Sequence, residues 1–290
     1  MGILFEKYGI MSSPHVICVS IPRSGHHFLE NICEKYFGDE LFYCFRADAG
    51  ECCMQVPCAR SASKLVIQKT HDWKLTFPTN QMPALYFIQY REPVGQILSH
   101  VEQIDKSNDR EFRRKDRDFL EWWAVLQASK VIAFLTKWIQ PSEPHRIAVE
   151  CNALVADPKS CILPIFKYFG KDLDAAKLEN VLAAISDERA PGPGSRGPIE
   201  RYEARDLTVS AILPKPLVRA YGDLVRARTP FVAWPEIGLD VEPSTTFAET
   251  FLAFESFTSL PVVSEEVVAM ASRSSNRYVR RELDRWKSRQ

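Results

Sequence analysis

Residues 15–29 read HVICVSIPRSGHHFL, and this stretch decides how the chain folds. Its first half is a run of apolar, mostly β-branched residues, which predicts a buried strand. Pro22 and Gly25 mark a turn, and apolar residues recur at helical spacing from Ser24 onward. A strand, a tight turn and a helix in this order point backbone N–H groups and the positive end of the helix at one place. Because Arg23 adds a positive charge, the stretch predicts a loop that binds an anion of the phosphate type.

The turn differs from the Walker A loop. That loop needs Gly-x-x-x-x-Gly-Lys-Ser/Thr, whose hydroxyl helps to hold Mg²⁺, whereas this turn has one glycine and lacks the Lys-Ser/Thr pair. Taken alone, residues 15–29 also fit an ordinary strand-to-helix turn in which Ser24 caps the helix. The rest of the sequence therefore has to distinguish an anion-binding loop from a capped turn.

Four apolar runs are predicted as strands, and longer helical patterns follow them. The strands cover residues 15–22, 64–71, 84–91 and about 145–151, and the helices cover 24–37, 93–104, 117–139, 158–169 and 173–187. The continuous apolar character of the strands is typical of a parallel sheet that is buried on both faces. This alternation predicts an α/β fold of three layers, in which a mostly parallel sheet is flanked by helices.

Polar side chains stand at the ends of three predicted strands. Arg23 follows the first strand, Lys69 and His71 end the second, and Arg91 ends the third. The carboxyl ends of parallel strands meet at one edge of the sheet, where α/β proteins bind their ligands. We therefore expect these four side chains to converge on one site.

The composition excludes several classes of protein. Lys+Arg and Asp+Glu both number 37, so the formal net charge is zero, which argues against a nucleic-acid partner. The sequence lacks the roughly 18 consecutive apolar residues expected of a membrane span. Residues 1–13 also lack the apolar centre of a secretory signal. These features predict a soluble, cytoplasmic protein.

Half of the eight cysteines form a cluster in the sequence: Cys44, Cys52, Cys53 and Cys58. Such a cluster can hold zinc or form a disulfide, but the paired Cys-x-x-Cys spacing is absent. Free thiols are therefore favoured, and no metal site is predicted.

Four segments, in order, resemble motifs of the sulfotransferases that use 3′-phosphoadenosine 5′-phosphosulfate (PAPS). Pro22-Arg23-Ser24-Gly25 resembles the family's Pro-Lys/Arg-Ser-Gly-Thr-Thr loop, and Lys69-Thr70-His71 resembles the Lys-Thr-His of the cytosolic members. Tyr90-Arg91-Glu92-Pro93, with Ser99 eight residues after Arg91, is similar to the arginine-and-serine clamp for the donor's 3′-phosphate. Residues 150–157, followed by Pro158, resemble the family's Tyr-Glu-Asp-Leu-x-x-Asp-Pro region. The resemblance extends over about residues 15–170.

The resemblance implies a fold and a domain arrangement. The fold would be the sulfotransferase fold, which is like that of the P-loop nucleotide hydrolases. Residues 1–290 would form a single domain, with the core motifs in 15–205 and a helical C-terminal extension over about 206–290.

The resemblance also implies the chemistry. A sulfonyl group would move from PAPS to a hydroxyl of a small molecule or carbohydrate, by in-line attack and without a metal. His71 would be the general base, since an imidazole titrates near neutral pH. Lys69 and Arg23 would stabilise the charge that develops on the transferred group.

Donor binding is implied for a larger set of residues: Arg23, Ser24, Gly25, His26, His27, Arg91, Ser99, Arg196 and Gly197. Arg196 and Gly197 match an arginine-and-glycine loop that the family places near the 3′-phosphate, and Arg201 and Arg205 compete for that role. The chain departs from the family at His26-His27, where a pair of hydroxyl residues is usual. This departure predicts donor binding that is sensitive to pH, and it leaves room for an altered donor.

Two other functions stay open on the sequence alone. A P-loop-type kinase would need Mg²⁺ and an acidic strand end, for which Asp72 and Glu150 are candidates. A non-catalytic nucleotide-binding or scaffold protein with a degenerate site is the third interpretation.

The aromatic residues Phe42, Tyr43 and Phe45 fit either an acceptor pocket or the core. Neither the acceptor nor the oligomeric state follows from the sequence.

Overall fold

The computed structural model describes residues 14–45, 55–56, 58, 64–72, 74–79, 84–107, 111–141, 143–189, 212–235, 241–259 and 263–289. The strands in this part of the chain are β1 (His15–Ser20), β2 (Leu41–Phe45), β3 (Leu65–Thr70), β4 (Leu85–Tyr90) and β5 (Arg146–Glu150). The helices are α1 (His26–Phe37), α2 (Pro93–Ser107), α3 (Arg117–Trp138), α4 (Cys151–Ala156), α5 (Pro158–Tyr168), α6 (Ala175–Arg189), α7 (Lys215–Arg228), α8 (Thr245–Ser259), α9 (Glu265–Arg273) and α10 (Arg277–Lys287). Short 3₁₀ helices cover Gly38–Glu40 and Glu111–Arg114.

The five strands form one parallel sheet in the order β2-β3-β1-β4-β5. This arrangement confirms the predicted α/β fold with a parallel sheet flanked by helices. The four predicted strands and five predicted helices are all present, with ends that differ by a few residues. The strand β2 was not predicted, and it contains the three aromatic residues whose role the sequence left open.

Two compact units make up the chain. The first comprises residues 1–91 and 137–197 and holds the sheet, and the second comprises residues 92–136 and 198–290. The predicted single domain with an extension from about residue 206 stays a prediction.

Burial explains why the first unit folds around β1. All six residues of β1 are buried, as expected for a central strand with neighbours on both sides. Val16 and Cys18 of this strand belong to a large apolar cluster together with residues of α1, α5 and α6. Burial of this apolar surface is the main term that stabilises the sheet and fixes the position of its edges.

The second unit is helical in its described part, and it has an apolar core of its own. Trp122 of α3 packs with Ala253 and Phe257 of α8 and with Val279 and Leu283 of α10. A polar contact adds to this core, since the buried carboxylate of Glu121 accepts hydrogen bonds from two threonines of α8. None of the helices in the described part of the chain is long and apolar enough to span a membrane.

The strand order places a topological switch beside β1. The chain leaves β1 toward β2 on one side of the sheet, whereas it leaves β4 toward β5 on the other side. The connections therefore diverge between β1 and β4, and a crevice at such a point is the usual ligand site of an open α/β sheet. The segments that follow β1 and β4 are those that carry Arg23 and Arg91.

Candidate functional site

The loop between β1 and α1 has an unusual backbone. Arg23 and Gly25 have positive φ angles of 71° and 79°. Such angles are uncommon for a residue other than glycine, so Arg23 is held in a strained conformation by the loop around it. Alternation of right- and left-handed backbone conformations is also how anion-binding concavities of N–H groups are built.

Gly25 is required at its position for two reasons. Its φ is positive, and a Cβ placed on it would lie 2.8 Å from the Sγ of Cys151. Gly25 is the N-terminal cap residue of α1, and none of the described side chains caps this helix. The alternative of a turn capped by Ser24 is therefore wrong, and the first N–H groups of α1 remain available to an anion.

His71 lies directly after β3 and contacts the end of β1. Its Nδ1 is 2.8 Å from the backbone oxygen of Ser20 and 3.1 Å from the Oγ of the same residue. A carbonyl oxygen only accepts, so Nδ1 carries the proton and Nε2 carries the lone pair. Burial, assisted by the nearby charge of Lys69, lowers the pKa of His71 to about 4. The imidazole is therefore neutral at physiological pH and has the tautomer that a base requires.

Lys69 is the last residue but one of β3, two positions before His71, and is buried. Burial lowers the pKa of its ammonium group, whereas the carboxylate of Glu30 opposes this shift. The charge of Lys69 lowers the pKa of both His26 and His71, which places a cation close to both imidazoles. This is the arrangement in which a developing negative charge would be stabilised.

His26 uses both of its ring nitrogens within the protein. Its Nδ1 is 3.1 Å from the Oε1 of Gln89, and its Nε2 contacts the hydroxyl of Tyr43. Since a carboxamide oxygen only accepts, Nδ1–H donates to Gln89 and Nε2 accepts from Tyr43. Burial and the charge of Lys69 hold the pKa of His26 well below its usual value. The ring centroids of His26 and His71 are 6.4 Å apart.

His27 has a different environment from its neighbour. Its side chain is 73 % exposed, and its Nδ1 lies 2.9 Å from a carboxylate oxygen of Glu30, one turn further along α1. The two histidines that replace the family's hydroxyl pair are thus one buried and one exposed residue.

Arg91 follows β4 and contacts the β1–α1 loop. Its Nη1 donates to the backbone oxygen of Arg23 at 3.2 Å. Ser99, the other residue of the predicted 3′-phosphate clamp, is a buried residue of α2 in the second unit. Arg196 and Gly197 lie outside the described residues, as do Arg201 and Arg205.

Asp72, which follows His71, has a structural environment. Its carboxylate accepts hydrogen bonds from the Nζ of Lys137 at 2.6 Å, from the Nε1 of Trp138 at 3.0 Å and from the backbone N–H of Phe77 at 2.7 Å. Lys137 also donates to the backbone oxygens of Leu75 and Phe77. Asp72 therefore fixes the segment that follows His71.

The structure thus brings Arg23, Ser24, Gly25, His26, Lys69, His71 and Arg91 to the carboxyl edge of the sheet. Two further residues of this site were missed by the sequence analysis, Ser20 and Gln89, and Tyr43 was left open between an acceptor pocket and the core. A glutamine in an otherwise apolar strand was a signal that the sequence offered for Gln89. The described residues contain no group of three or more His, Cys, Asp or Glu side chains placed to hold a metal ion.

Comparisons with known proteins add one structural likeness. No family model and no curated protein matches the chain. Among solved structures, the crystal structure of mouse sulfotransferase SULT7A1 complexed with PAP is similar to this chain, with 11 % sequence identity and a TM-score of 0.48. The match covers 77 % of this chain and 87 % of that chain. An identity and a TM-score this low assign no function to the present chain.

Proposed function

We propose that this protein is a sulfotransferase that moves a sulfonyl group from PAPS to a hydroxyl of a small molecule or carbohydrate, with His71 as the general base. One observation carries the proposal: the Nδ1–H of His71 donates to the carbonyl of Ser20, which lies at the start of the β1–α1 loop. Nε2 is thereby the basic nitrogen. The four sequence segments that resemble the family support the same assignment.

The residues of the loop fit the 5′-phosphosulfate of PAPS. The N–H groups at the start of α1 have no side-chain cap, and the loop has two positive φ angles. Ser24 is fully buried, and its Oγ has no hydrogen-bond partner among the described residues. The Ser24 hydroxyl, the loop N–H groups and the guanidinium of Arg23 would hold sulfonyl or phosphate oxygens. When bound, PAPS supplies a sulfonyl group on a leaving group that needs no metal.

The roles of the other residues follow from their charge and position. The Nε2 of His71 would take the proton of the acceptor hydroxyl as its oxygen attacks sulfur, and Nδ1–H would keep its bond to Ser20. Lys69 would stabilise negative charge on the transferred group, at a buried place where a cation is most effective. Arg91 would bind the 3′-phosphate. The resemblance adds Ser99, Arg196 and Gly197 to this phosphate, and these roles stay predictions.

Calorimetry tests the donor assignment. The protein is titrated with adenosine 3′,5′-bisphosphate and, separately, with ATP and Mg²⁺. Preferential binding of the bisphosphate is expected, and Arg91→Ala should weaken it by about 2–5 kcal/mol because a charged contact is lost. Arg146→Ala is the control, since Arg146 is the first residue of β5 and lies at the amino ends of the parallel strands, whereas Arg91 lies at their carboxyl ends. Binding of ATP–Mg²⁺ alone would favour a kinase.

Turnover tests the role of His71. With PAPS and a panel of phenols, alcohols and sugars, release of adenosine 3′,5′-bisphosphate is measured for the wild type and for His71→Ala. The variant should lose about 10²- to 10⁴-fold in rate, as is usual when a general base is removed, and keep its affinity for the bisphosphate. His145→Ala is the matched control, because His145 precedes β5 at the far edge. Loss of nucleotide affinity in His71→Ala would make His71 a structural residue, not the base.

A further inference from the structure

Three buried hydrogen-bond donors near the β1–α1 loop have no partner among the described residues. They are the Oγ of Ser24, the Nε2 of Gln89 and the Nε of Arg91. Ser24 and Gln89 are fully buried. An unpaired buried donor costs about 1–3 kcal/mol, so native proteins contain few of them and each requires an explanation.

All three donors belong to the same place in the fold. Gln89 is paired with Ser20 in the sheet register, and its backbone oxygen accepts from the N–H of Ile21 at 3.1 Å. Arg91, two residues further on, donates to the backbone of Arg23, which precedes Ser24. The unpaired groups thus surround the first residues of the loop, at the crevice between β1 and β4.

The Gln89 amide directs its oxygen toward His26 in the structure. His26 donates from Nδ1 to Oε1, while Tyr43 occupies the other ring nitrogen of His26. The amide oxygen is therefore used, and the NH₂ group keeps its two N–H donors for another acceptor. His26, the partner of this amide, also lies in the field of the Lys69 cation, which lowers its pKa. A negatively charged oxygen is the acceptor that suits an unpaired N–H in this surrounding.

We infer that Gln89 is a donor-binding residue whose NH₂ group donates to an oxygen at the 5′ end of the nucleotide, together with the hydroxyl of Ser24. This inference rests on the proposed function and adds to it a residue that none of the sequence motifs contains. Because Gln89 lies beside the loop that faces the 5′ end, its contribution is distinct from that of Arg91 at the 3′-phosphate. It binds the part of the nucleotide from which the sulfonyl group is transferred.

The test compares two nucleotides that differ at the 5′ end, adenosine 3′,5′-bisphosphate and adenosine 3′-monophosphate. Gln89→Glu keeps an oxygen for the N–H of His26 and replaces the NH₂ donor with an anionic oxygen. Affinity for the bisphosphate should fall at least tenfold, since a hydrogen bond to a charged group is lost and replaced by repulsion. Affinity for the 3′-monophosphate should stay within about twofold.

Gln89→Met, which is uncharged and close in size, repeats the test if the glutamate variant does not fold. The control is Gln68→Met, since Gln68 is also a buried glutamine, but both of its amide atoms are paired, with His15 and with the backbone of Gln55. Equal weakening of both nucleotides in the Gln89 variants would make this residue structural and overturn the inference.

Two outcomes separate the inference from the proposed function. If the wild type binds the bisphosphate and the Gln89 variants bind both nucleotides as tightly, the inference alone is wrong. If the wild type binds neither nucleotide, the proposed function fails and the inference falls with it.

Discussion

At the scale of the residue, the state of His71 is the property that matters most for the proposed reaction. Its Nδ1–H is held by the Ser20 carbonyl, and burial lowers its pKa to about 4. An ordinary histidine would be largely protonated at pH 5.5, whereas His71 should stay neutral there. The shift keeps the Nε2 of His71 unprotonated well below neutral pH, and it also makes this nitrogen a weaker base than an ordinary imidazole.

This state can be measured directly by NMR with ¹⁵N-labelled histidine, and His71→Asn identifies the signals of His71. We expect the ring to remain neutral, with the proton on Nδ1, down to about pH 5 and to titrate near pH 4. A midpoint near 6.5 for His71, or a proton on Nε2, would contradict the expectation.

Particular residues show how far the sequence could predict the site. Lys69, His71 and Arg91 were placed correctly at the carboxyl edge because polar residues at the ends of apolar strands identify that edge. Gln89 was missed, since its contact with His26 joins residues that are 63 positions apart in the chain, and spacing alone does not contain such a contact. Tyr43 was left open between an acceptor pocket and the core, and the structure places its hydroxyl against His26. The sequence suggested that His26 contacts the donor, whereas in the structure both of its ring nitrogens contact protein groups, Gln89 and Tyr43. These partners could not be predicted from the sequence.

At the scale of the element, the entry into α1 depends on a glycine that both turns and packs. Gly25, Gly38 and Gly170 all have positive φ, but only Gly25 has a neighbouring atom that an added Cβ would meet. Alanine at Gly170 should therefore cost about 1–2 kcal/mol of unfolding free energy for the backbone conformation alone. Gly25→Ala should cost more than Gly170→Ala, because the Sγ of Cys151 would also have to move. Gly38 has a different backbone conformation, since its ψ of −129° lies outside the left-handed helical region.

Urea unfolding of the Gly25→Ala and Gly170→Ala variants measures the difference, and Cys151→Ala extends it to a double-mutant cycle. We expect Gly25→Ala to be less destabilising in the Cys151→Ala background, since the atom that it meets is then absent. Equal costs for the two glycine variants would show that the contact with Cys151 contributes nothing.

Strands were predicted correctly where the sequence contains a clear apolar run. The strands β1, β3 and β4 are mostly apolar and almost entirely buried, and such runs are conspicuous. In contrast, β2 follows directly after α1 and a short 3₁₀ helix, so it is not clearly separated from the helical pattern. The aromatic residues of β2 do not by themselves indicate a strand, and only its pairing with β3 in the structure identifies it as one.

At the scale of the whole molecule, charge is balanced while buried histidines are concentrated in the first unit. The formal net charge is zero, so an anion is attracted to the site by local groups and not by the protein as a whole. Burial lowers the pKa of His15, His26 and His71, all within the first unit. Because these three imidazoles are buried in their neutral form, the free energy of unfolding should depend on pH.

The sign of this connection follows from the direction of the shifts. Between the usual histidine pKa of about 6.5 and the lower values in the folded protein, the unfolded chain binds more protons than the folded one. Stability is therefore fully present above about pH 6.5 and is lost as the pH falls toward the folded values, which for His71 is about 4. Three such groups together give a slope of up to about 4 kcal/mol per pH unit.

Proton uptake on unfolding in urea at pH 5.5 is the direct measurement of this effect. The wild type should take up protons at all three histidines, in addition to the uptake of its carboxylates. His15→Gln keeps a donor for the Oε1 of Gln68, which His15 contacts at 3.1 Å, but has no titrating group. This variant should take up fewer protons and lose less stability between pH 7.5 and 5.5. An unchanged uptake in His15→Gln would mean that His15 is already protonated in the folded protein, and the acid sensitivity would then have to arise from other groups.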